Sequence, residues 1–298
     1  MLNAIIIGCG DIGIRVGLQL LQQHYQVTGI VRSTGSANKL KALGFDTAIV
    51  DLDQPEPTLP LISNDSLLFY FAPPTEDGER DLRMKRFLAA LTSSTTTPAR
   101  IIYISTSAVY ADSKGAWINE QIPTAPNNSR GKRRLDAEQQ LNKLQSEQSV
   151  NISILRVTGI YSANRLPFRQ IQSGQPILEL AVAPYSNRIH ADDLATTCIA
   201  AALKSSKPVA IFNVSDGHPG SISQYFREVA LAFNLQPPPE INWEAAQQVL
   251  SPGMLSYLRE SKRIDSRLMM TELGVTLNYP TLESGLKQCL TELDQNRA

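Results

Sequence analysis

Cysteine, histidine and tryptophan are scarce in this chain of 298 residues, which holds only three, three and two of them. Cys9, Cys198 and Cys289 form an odd set without CxxC spacing, and His24, His190 and His218 are scattered. Neither a disulfide framework nor a metal site is therefore expected, and a reducing, cytoplasmic compartment is. Net charge is lacking as well, because 28 Lys and Arg balance 28 Asp and Glu. A chain without a basic excess has no general affinity for phosphate backbones or anionic lipid, so the expected partner is a small molecule, with no nucleic acid and no membrane. No apolar run approaches the roughly 18 residues of a membrane span. The N-terminus has no basic leader and breaks into Gly8 and Asp11 after a short apolar stretch, unlike a secretion signal.

What the chain does have is regular punctuation. Asn3 to Ile7 reads as a buried strand and Ile12 to His24 as a helix through Val16, Leu20 and Leu21. Gln26 to Val31 is a second strand, Ala37 to Leu43 a short helix closed by Gly44, and Asp46 to Val50 a third strand. Leu67 to Phe71, Arg100 to Ser105, Ile152 to Val157 and Ala210 to Val214 add continuous apolar strands, with helices over about 77–91, 130–144 and 192–203. Strands without polar alternation, regularly separated by helices, predict an α/β fold with a doubly wound parallel sheet covered on both faces. Residues 1–163, with 189–214 returning to them, form the expected sheet domain. Residues 164–188 and 215–298, where turn formers interrupt the pattern, form a smaller interleaved α+β domain. Its helix near Ser221 carries a capping box with Gln224, and three prolines, Pro237 to Pro239, make a stiff connector.

Gly8-Cys9-Gly10-Asp11-Ile12-Gly13 is GxGxxG placed after the first strand and into a helix. In that context Gly8 permits the tight turn, Gly10 lets the backbone approach a pyrophosphate and Gly13 lets helix pack on strand. The helix N-terminus through Asp11 and Ile12 adds partial positive charge. The Asp11 carboxylate suits such a site only if it points outward. About twenty residues on, where an acid would bond the ribose of NAD, the strand ends Arg32-Ser33. A guanidinium and a short hydroxyl suit a 2′-phosphate, which favours NADP. Asp51, after the third strand, bonds the adenine or caps the next turn. Ala72 and Pro73, after the fourth strand, complete the expected cofactor contacts. Cys9 is expected to be a small packed residue, without a partner that would make it a nucleophile.

These features, with the run Ile101 to Tyr110 (IIYISTSAVY), resemble the extended short-chain dehydrogenase/reductase superfamily, the NAD-dependent epimerase/dehydratase group. Leu155 to Tyr161 (LRVTGIY), Ile189 to Ala195 (IHADDLA), Phe212 to Gly217 (FNVSDG) and Glu272 to Gly274 (ELG) match in the same order. The resemblance spans nearly the whole chain. It implies a Rossmann sheet of about seven strands, a small C-terminal substrate domain, and chemistry by a Ser/Thr with a Tyr-x-x-x-Lys pair. Helices at about 77–91 and 130–144 often pair in the resembled family, which implies a homodimer.

The Ser/Thr falls on Thr106, but Arg130 and Arg134 stand at the Tyr and Lys positions, and Ile7 replaces the first glycine of GxxGxxG. The chain in this respect resembles the atypical members that keep the nucleotide fold and lose the pair. A guanidinium cannot be deprotonated near neutral pH, so it cannot serve as the usual acid. Two arginines four apart share a helix face and suit an anionic substrate or the cofactor's phosphates; the alternative is a solvated basic face with Lys132 and Arg133. A proton would have to come from Thr106 through water, from Tyr110 or Tyr161, or from His190, whose motif mainly anchors a helix. Arg188 is offset by about two positions from the arginine that relatives use for sugar nucleotides, so that substrate class does not carry over. The expected catalytic set is Thr106, Arg130, Arg134 and His190. The expected function is an NADP-preferring oxidoreductase or epimerase for a small, anionic carbonyl or sugar-like substrate, and the alternative is a catalytically inactive NADP-binding sensor or regulatory protein.

Overall fold

The structure is a computed structural model that describes residues 2–94 and 96–295. Seven strands form the central sheet: β1 (Asn3–Ile7), β2 (Gln26–Val31), β3 (Asp46–Ile49), β4 (Leu67–Tyr70), β5 (Arg100–Thr106), β6 (Asn151–Val157) and β7 (Val209–Val214). Their order is β7-β6-β5-β4-β1-β2-β3 and every pairing is parallel. The order reverses between β1 and β4, and there the loops beyond the strand ends diverge and leave a crevice.

The continuous apolar strands follow from cover on both faces. In β1, Ala4 and Ile6 point into one core with Val16 and Leu20 of helix α1 (Asp11–Gln22). Ile5 and Ile7 point into the other, with Phe87 and Leu88 of α3 (Leu82–Thr92) and Leu141 of α4 (Ser129–Gln148). On the same face as α1, α2 (Thr34–Ala42) buries Ala37 and Leu40 and packs beside the strand that follows it. Each fully buried aliphatic side chain stabilises by about 1.5–3 kcal/mol relative to exposure.

Helix boundaries move where a cap decides them. The helix expected from about residue 77 begins at Leu82, because the Asp81 carboxylate accepts the Met84 N–H at 3.0 Å, while Gly78 at φ +73° turns the chain before it. The Asn128 side chain starts α4 by accepting from the Gly131 N–H at 2.8 Å. The helix then runs on to Gln148, where Ser149 at φ 55° ends it. Ser221 caps helix α6 (Ile222–Ala232), but the Gln224 side chain turns to Glu228 at 2.6 Å, so only half of the expected box forms.

The smaller part packs Tyr225, Phe226 and Val229 of α6 against Leu286 and Cys289 of α7 (Leu282–Gln295). One stretch assigned to it on sequence lies elsewhere. Residues 267–275 join the main core through Met269, Leu273 and Val275, against helix α5 (Ala191–Lys204) and β7. Asp193 of α5 secures the next segment by accepting the N–H groups of Asn278 and Tyr279 at 2.7 and 3.0 Å. Among the described residues no helix is long and apolar enough to cross a membrane.

Candidate nucleotide and substrate cleft

The glycine loop is built by close approach. Gly8 sits at φ +76°, and a Cβ there would lie 2.5 Å from the Ala72 nitrogen in the loop after β4. The Gly8 and Cys9 N–H groups both donate to the Ile30 carbonyl at 3.1 Å, which ties the turn to β2. A Cβ on Gly13 would meet Ile6 at 3.0 Å and the Cys9 sulfur at 3.2 Å, so this glycine serves helix packing. Gly10 differs, because a Cβ there would meet nothing within 4 Å. It faces open space at the start of α1, where no side chain caps the helix. Uncapped N–H groups beside an open glycine fit a dinucleotide's pyrophosphate. Cys9 is buried beneath, its thiol pushed up to about 12 by burial, in keeping with a packing role.

A cavity of about 460 Å³ opens here, lined by Gly8, Gly10, Arg32, Ser33, Ala72 and Pro73, with Ser36 and Arg83 in addition. The Arg32 side chain is 68% exposed, with its Nη1 3.6 Å from the Asp53 carboxylate. Asp53 is chiefly held by Arg83, which chelates it at 2.6 and 2.7 Å and also donates to the Pro73 carbonyl at 3.0 Å. Those hydrogen bonds hold the Asp53 carboxyl below the usual range. Ser33 caps α2 by accepting from the Ser36 N–H at 3.3 Å. Asp51 does not line the cavity; its carboxylate accepts the Asp53 N–H at 3.0 Å and so caps the turn.

Asp11 turns away from the loop. Its carboxylate pairs with Arg15 at 3.0 Å and with Arg165 at 2.6 Å. Burial raises its pKa, yet the hydrogen bonds from Arg165 and Arg15 outweigh that and leave it below the ordinary value. Ile12 is buried in the core and leaves only backbone to the loop.

Arg165 also lines a second cavity, of about 310 Å³, with Thr106, Arg130, Arg188, Tyr257 and Lys262. The Thr106 hydroxyl accepts from the Ala108 N–H at 3.3 Å at the end of β5. Arg130 lies with its guanidinium 4.2 Å from the centre of the Tyr257 ring and donates to the Tyr257 hydroxyl. Lys262 is buried and donates to the Tyr110 carbonyl at 2.9 Å and to Glu260 at 2.8 Å.

Arg130 and Arg134 share a face but not a site. Four residues advance a helix by roughly 6 Å, which carries Arg134 away from the cleft and alongside β5. There it donates to the Ile104 carbonyl at 3.1 Å and the Tyr103 hydroxyl at 3.3 Å, outside the cleft lining. One turn deeper, Glu138 receives Arg156 at 2.7 Å and the Ser105 hydroxyl at 2.5 Å; Arg156 also donates to Tyr110 at 3.0 Å, and Tyr110 donates to Asn213 at 2.8 Å. This buried network sits behind the cleft.

His190 is not in the cleft. It is fully buried as the cap of α5, its Nδ1 accepting from the Asp192 N–H at 3.3 Å and its Nε2 3.8 Å from the Cys289 sulfur. The rings of Tyr161 and Tyr279 pack on it at 5.2 and 4.2 Å. Burial pushes its pKa down to about 4, with Asp192 only partly opposing, so the imidazole is neutral near pH 7. Tyr110 and Tyr161 are buried too and line neither cavity. Of the proton sources expected from sequence, Thr106 reaches the cleft. The structure adds Tyr257, Tyr185 and Lys262, which lie in segments with no motif spacing.

Fold and cleft define a class, a Rossmann-type α/β protein with a glycine cradle at the sheet's switch point and a second cavity beyond it. The chain belongs to the NAD dependent epimerase/dehydratase family, whose model matches residues 4–215. A conserved protein of unknown function from Silicibacter pomeroyi shares 26% identity and a TM-score of 0.84, covering 99% of this chain and all of that one. A UDP-glucose 4-epimerase from Bifidobacterium longum, solved with NAD+ and UDP, has 18% identity and a TM-score of 0.75, with 99% of both chains covered. A UDP-galactose 4-epimerase has 14% identity and a TM-score of 0.77, again with 99% of both chains covered. The two epimerases show a shared fold. No curated protein matches this sequence.

Proposed function

We propose that this protein is an NADP-preferring oxidoreductase or epimerase acting on a small anionic carbonyl or sugar-like substrate. The observation that carries the cofactor choice is at the end of β2. Arg32, Ser33 and Ser36 border the nucleotide cavity where an acid would select NAD, and the Arg32 side chain is largely exposed. The 8–13 loop and the start of α1 would hold the pyrophosphate, with Ala72, Pro73 and Arg83 walling the opposite side. A bound nicotinamide would supply hydride transfer.

The chain's own task is to hold the reacting carbon and to move a proton at its oxygen. Arg130 stands where relatives place the phenol, yet it donates to a phenol supplied by Tyr257. In this reading Tyr257 would give its hydroxyl proton to the substrate oxygen in the reducing direction and take it back in the reverse direction. Arg130 orients that hydroxyl, and Thr106 hydrogen-bonds the same substrate oxygen.

Calorimetry with NADPH, NADP, NADH and NAD on wild type and Arg32→Ala tests the cofactor reading. The expected result is tighter binding of the phosphorylated pair, with that advantage lost in Arg32→Ala. Binding of none of the four would sink the reading. NADH preference unaffected by Arg32→Ala would remove the 2′-phosphate argument. Tight binding without turnover across a broad carbonyl panel would favour the sensor.

A further inference from the structure

We infer that Arg188 anchors a compact, doubly charged oxyanion of the substrate in the second cavity. The inference rests on that cavity being the substrate site proposed above.

The charges of the cavity wall do not balance. Four cations line it, Arg130, Arg165, Arg188 and Lys262. Arg165 is paired with Asp11 at 2.6 Å and Lys262 with Glu260 at 2.8 Å. Among the described residues Arg130 and Arg188 have no carboxylate within ion-pair distance, which leaves two positive charges for a ligand to meet. Arg130 at least donates to the Tyr257 hydroxyl. Arg188 has only the carbonyl of its own neighbour, Asn187, at 3.3 Å, and its Nε is buried without a hydrogen-bond partner. The nearby Asp216 carboxylate accepts the His218 N–H at 2.9 Å and forms no ion pair with it. A half-buried guanidinium with a buried, unpaired Nε and no carboxylate is costly to keep, and such an unsatisfied group calls for an explanation.

The position is also constructed. Arg188 pairs across two short parallel strands with Gly159. A Cβ on Gly159 would overlap the Arg188 Nη1, so the residue opposite must lack a side chain for the guanidinium to lie where it does. One face of that guanidinium stacks on Tyr225, 4.3 Å from the ring centre. The stack fixes the plane of the fork while its Nη2 end, which makes no hydrogen bond, is left on the cavity side to meet an anion's oxygen.

Size limits what the anion can belong to. At about 310 Å³ the cavity is at the lower end of ligand sites, which run from about 300 to 1,000 Å³. A phosphate monoester or a dicarboxylate of a few carbons fits within that volume, whereas a nucleotide diphosphate sugar would have to extend out of it.

The test titrates inorganic phosphate, succinate and UDP-glucose into the full chain by calorimetry, with and without saturating NADP. Saturation prevents the probes from occupying the cofactor's phosphate positions. Wild type should bind phosphate or succinate. The Arg188→Met variant, which keeps a long side chain against Tyr225, should bind the same anion at least tenfold more weakly, with NADP affinity unchanged. Gly159→Ala, which keeps the charge but displaces the guanidinium, should show the same loss and guards against a folding defect in the first variant. Phosphate alone points to a monoester and succinate alone to a dicarboxylate. Equal anion affinity in wild type and both variants, binding of neither small anion to wild type, or stronger binding of UDP-glucose would overturn the inference. Failure of NADP to bind would strike only the cofactor reading, because the titration without NADP still reports the anion.

Discussion

Removing Glu138 tests whether the ion pair behind the cleft is a structural unit. Glu138 and Arg156 have side chains only 3% and 6% exposed. The carboxylate accepts from Arg156 at 2.7 Å and from Ser105 at 2.5 Å, joining α4 to β5 and β6. Glu138→Leu leaves the guanidinium buried with only the Tyr110 hydroxyl, so the cost should be that of an uncompensated interior charge, about 3–5 kcal/mol. Unfolding entropy of about 2.1 cal/mol/K per residue gives about 0.6 kcal/mol/K for 298 residues, so the midpoint should fall by roughly 5–8 °C. Replacing both partners, Glu138→Leu with Arg156→Met, removes the stranded charge and should cost less than Glu138→Leu alone. Urea unfolding of the two single variants and the double variant at pH 7 measures this. A cost below about 1 kcal/mol for Glu138→Leu, as for an exposed pair, would refute the reasoning. So would a double-variant cost equal to the sum of the singles.

Two further outcomes are expected. Tyr257→Phe should lower kcat at least tenfold on any carbonyl substrate identified by NADPH absorbance while leaving NADPH affinity unchanged, and Thr106→Val should lower it too; an unchanged kcat in Tyr257→Phe would remove that phenol as the acid. Acid should reveal an opposed pair of buried groups, measured by urea unfolding at several pH values. His190 is held near 4 against 6.5, so between those values the unfolded chain binds its proton and the folded chain does not, and stability falls as pH falls. Asp216 is raised by burial to about 6 from 3.8, so there the folded chain keeps the proton and stability rises as pH falls. In Asp216→Asn the histidine effect is no longer opposed by this carboxyl, and the variant should lose stability relative to wild type as pH falls from 6 to 4 by up to about 1.4 kcal/mol per pH unit. Parallel profiles would show that the two groups do not oppose each other.

The sheet was legible because its signal is local. Asn3–Ile7 and Arg100–Thr106 are apolar without alternation, and the glycines between β1 and α1 mark their own turn. The limits of helices were less legible, since Asp81 and Asn128 act through caps that a periodicity does not weigh. In the cleft, Thr106 and Arg130 were found by position in the chain, whereas spacing alone could not show that Arg134 lies one turn too deep. His190 stands in a motif but is turned inward against Cys289 and Tyr279, residues about a hundred positions away. Tyr257, Glu260 and Lys262 reach the cleft through long-range packing and carry no local pattern.

The family match ends at residue 215, while Tyr257, Glu260 and Lys262 lie beyond it. The second cavity is thus assembled from both sides of that boundary. The matched segment supplies the glycine loop and one wall of the second cavity, from Thr106, Arg130 and Arg188, and the segment beyond it closes the opposite wall with Tyr225, Tyr257, Glu260 and Lys262. A substitution at Tyr257 or Lys262 therefore alters the second cavity without touching the glycine loop, which lies near the start of the chain.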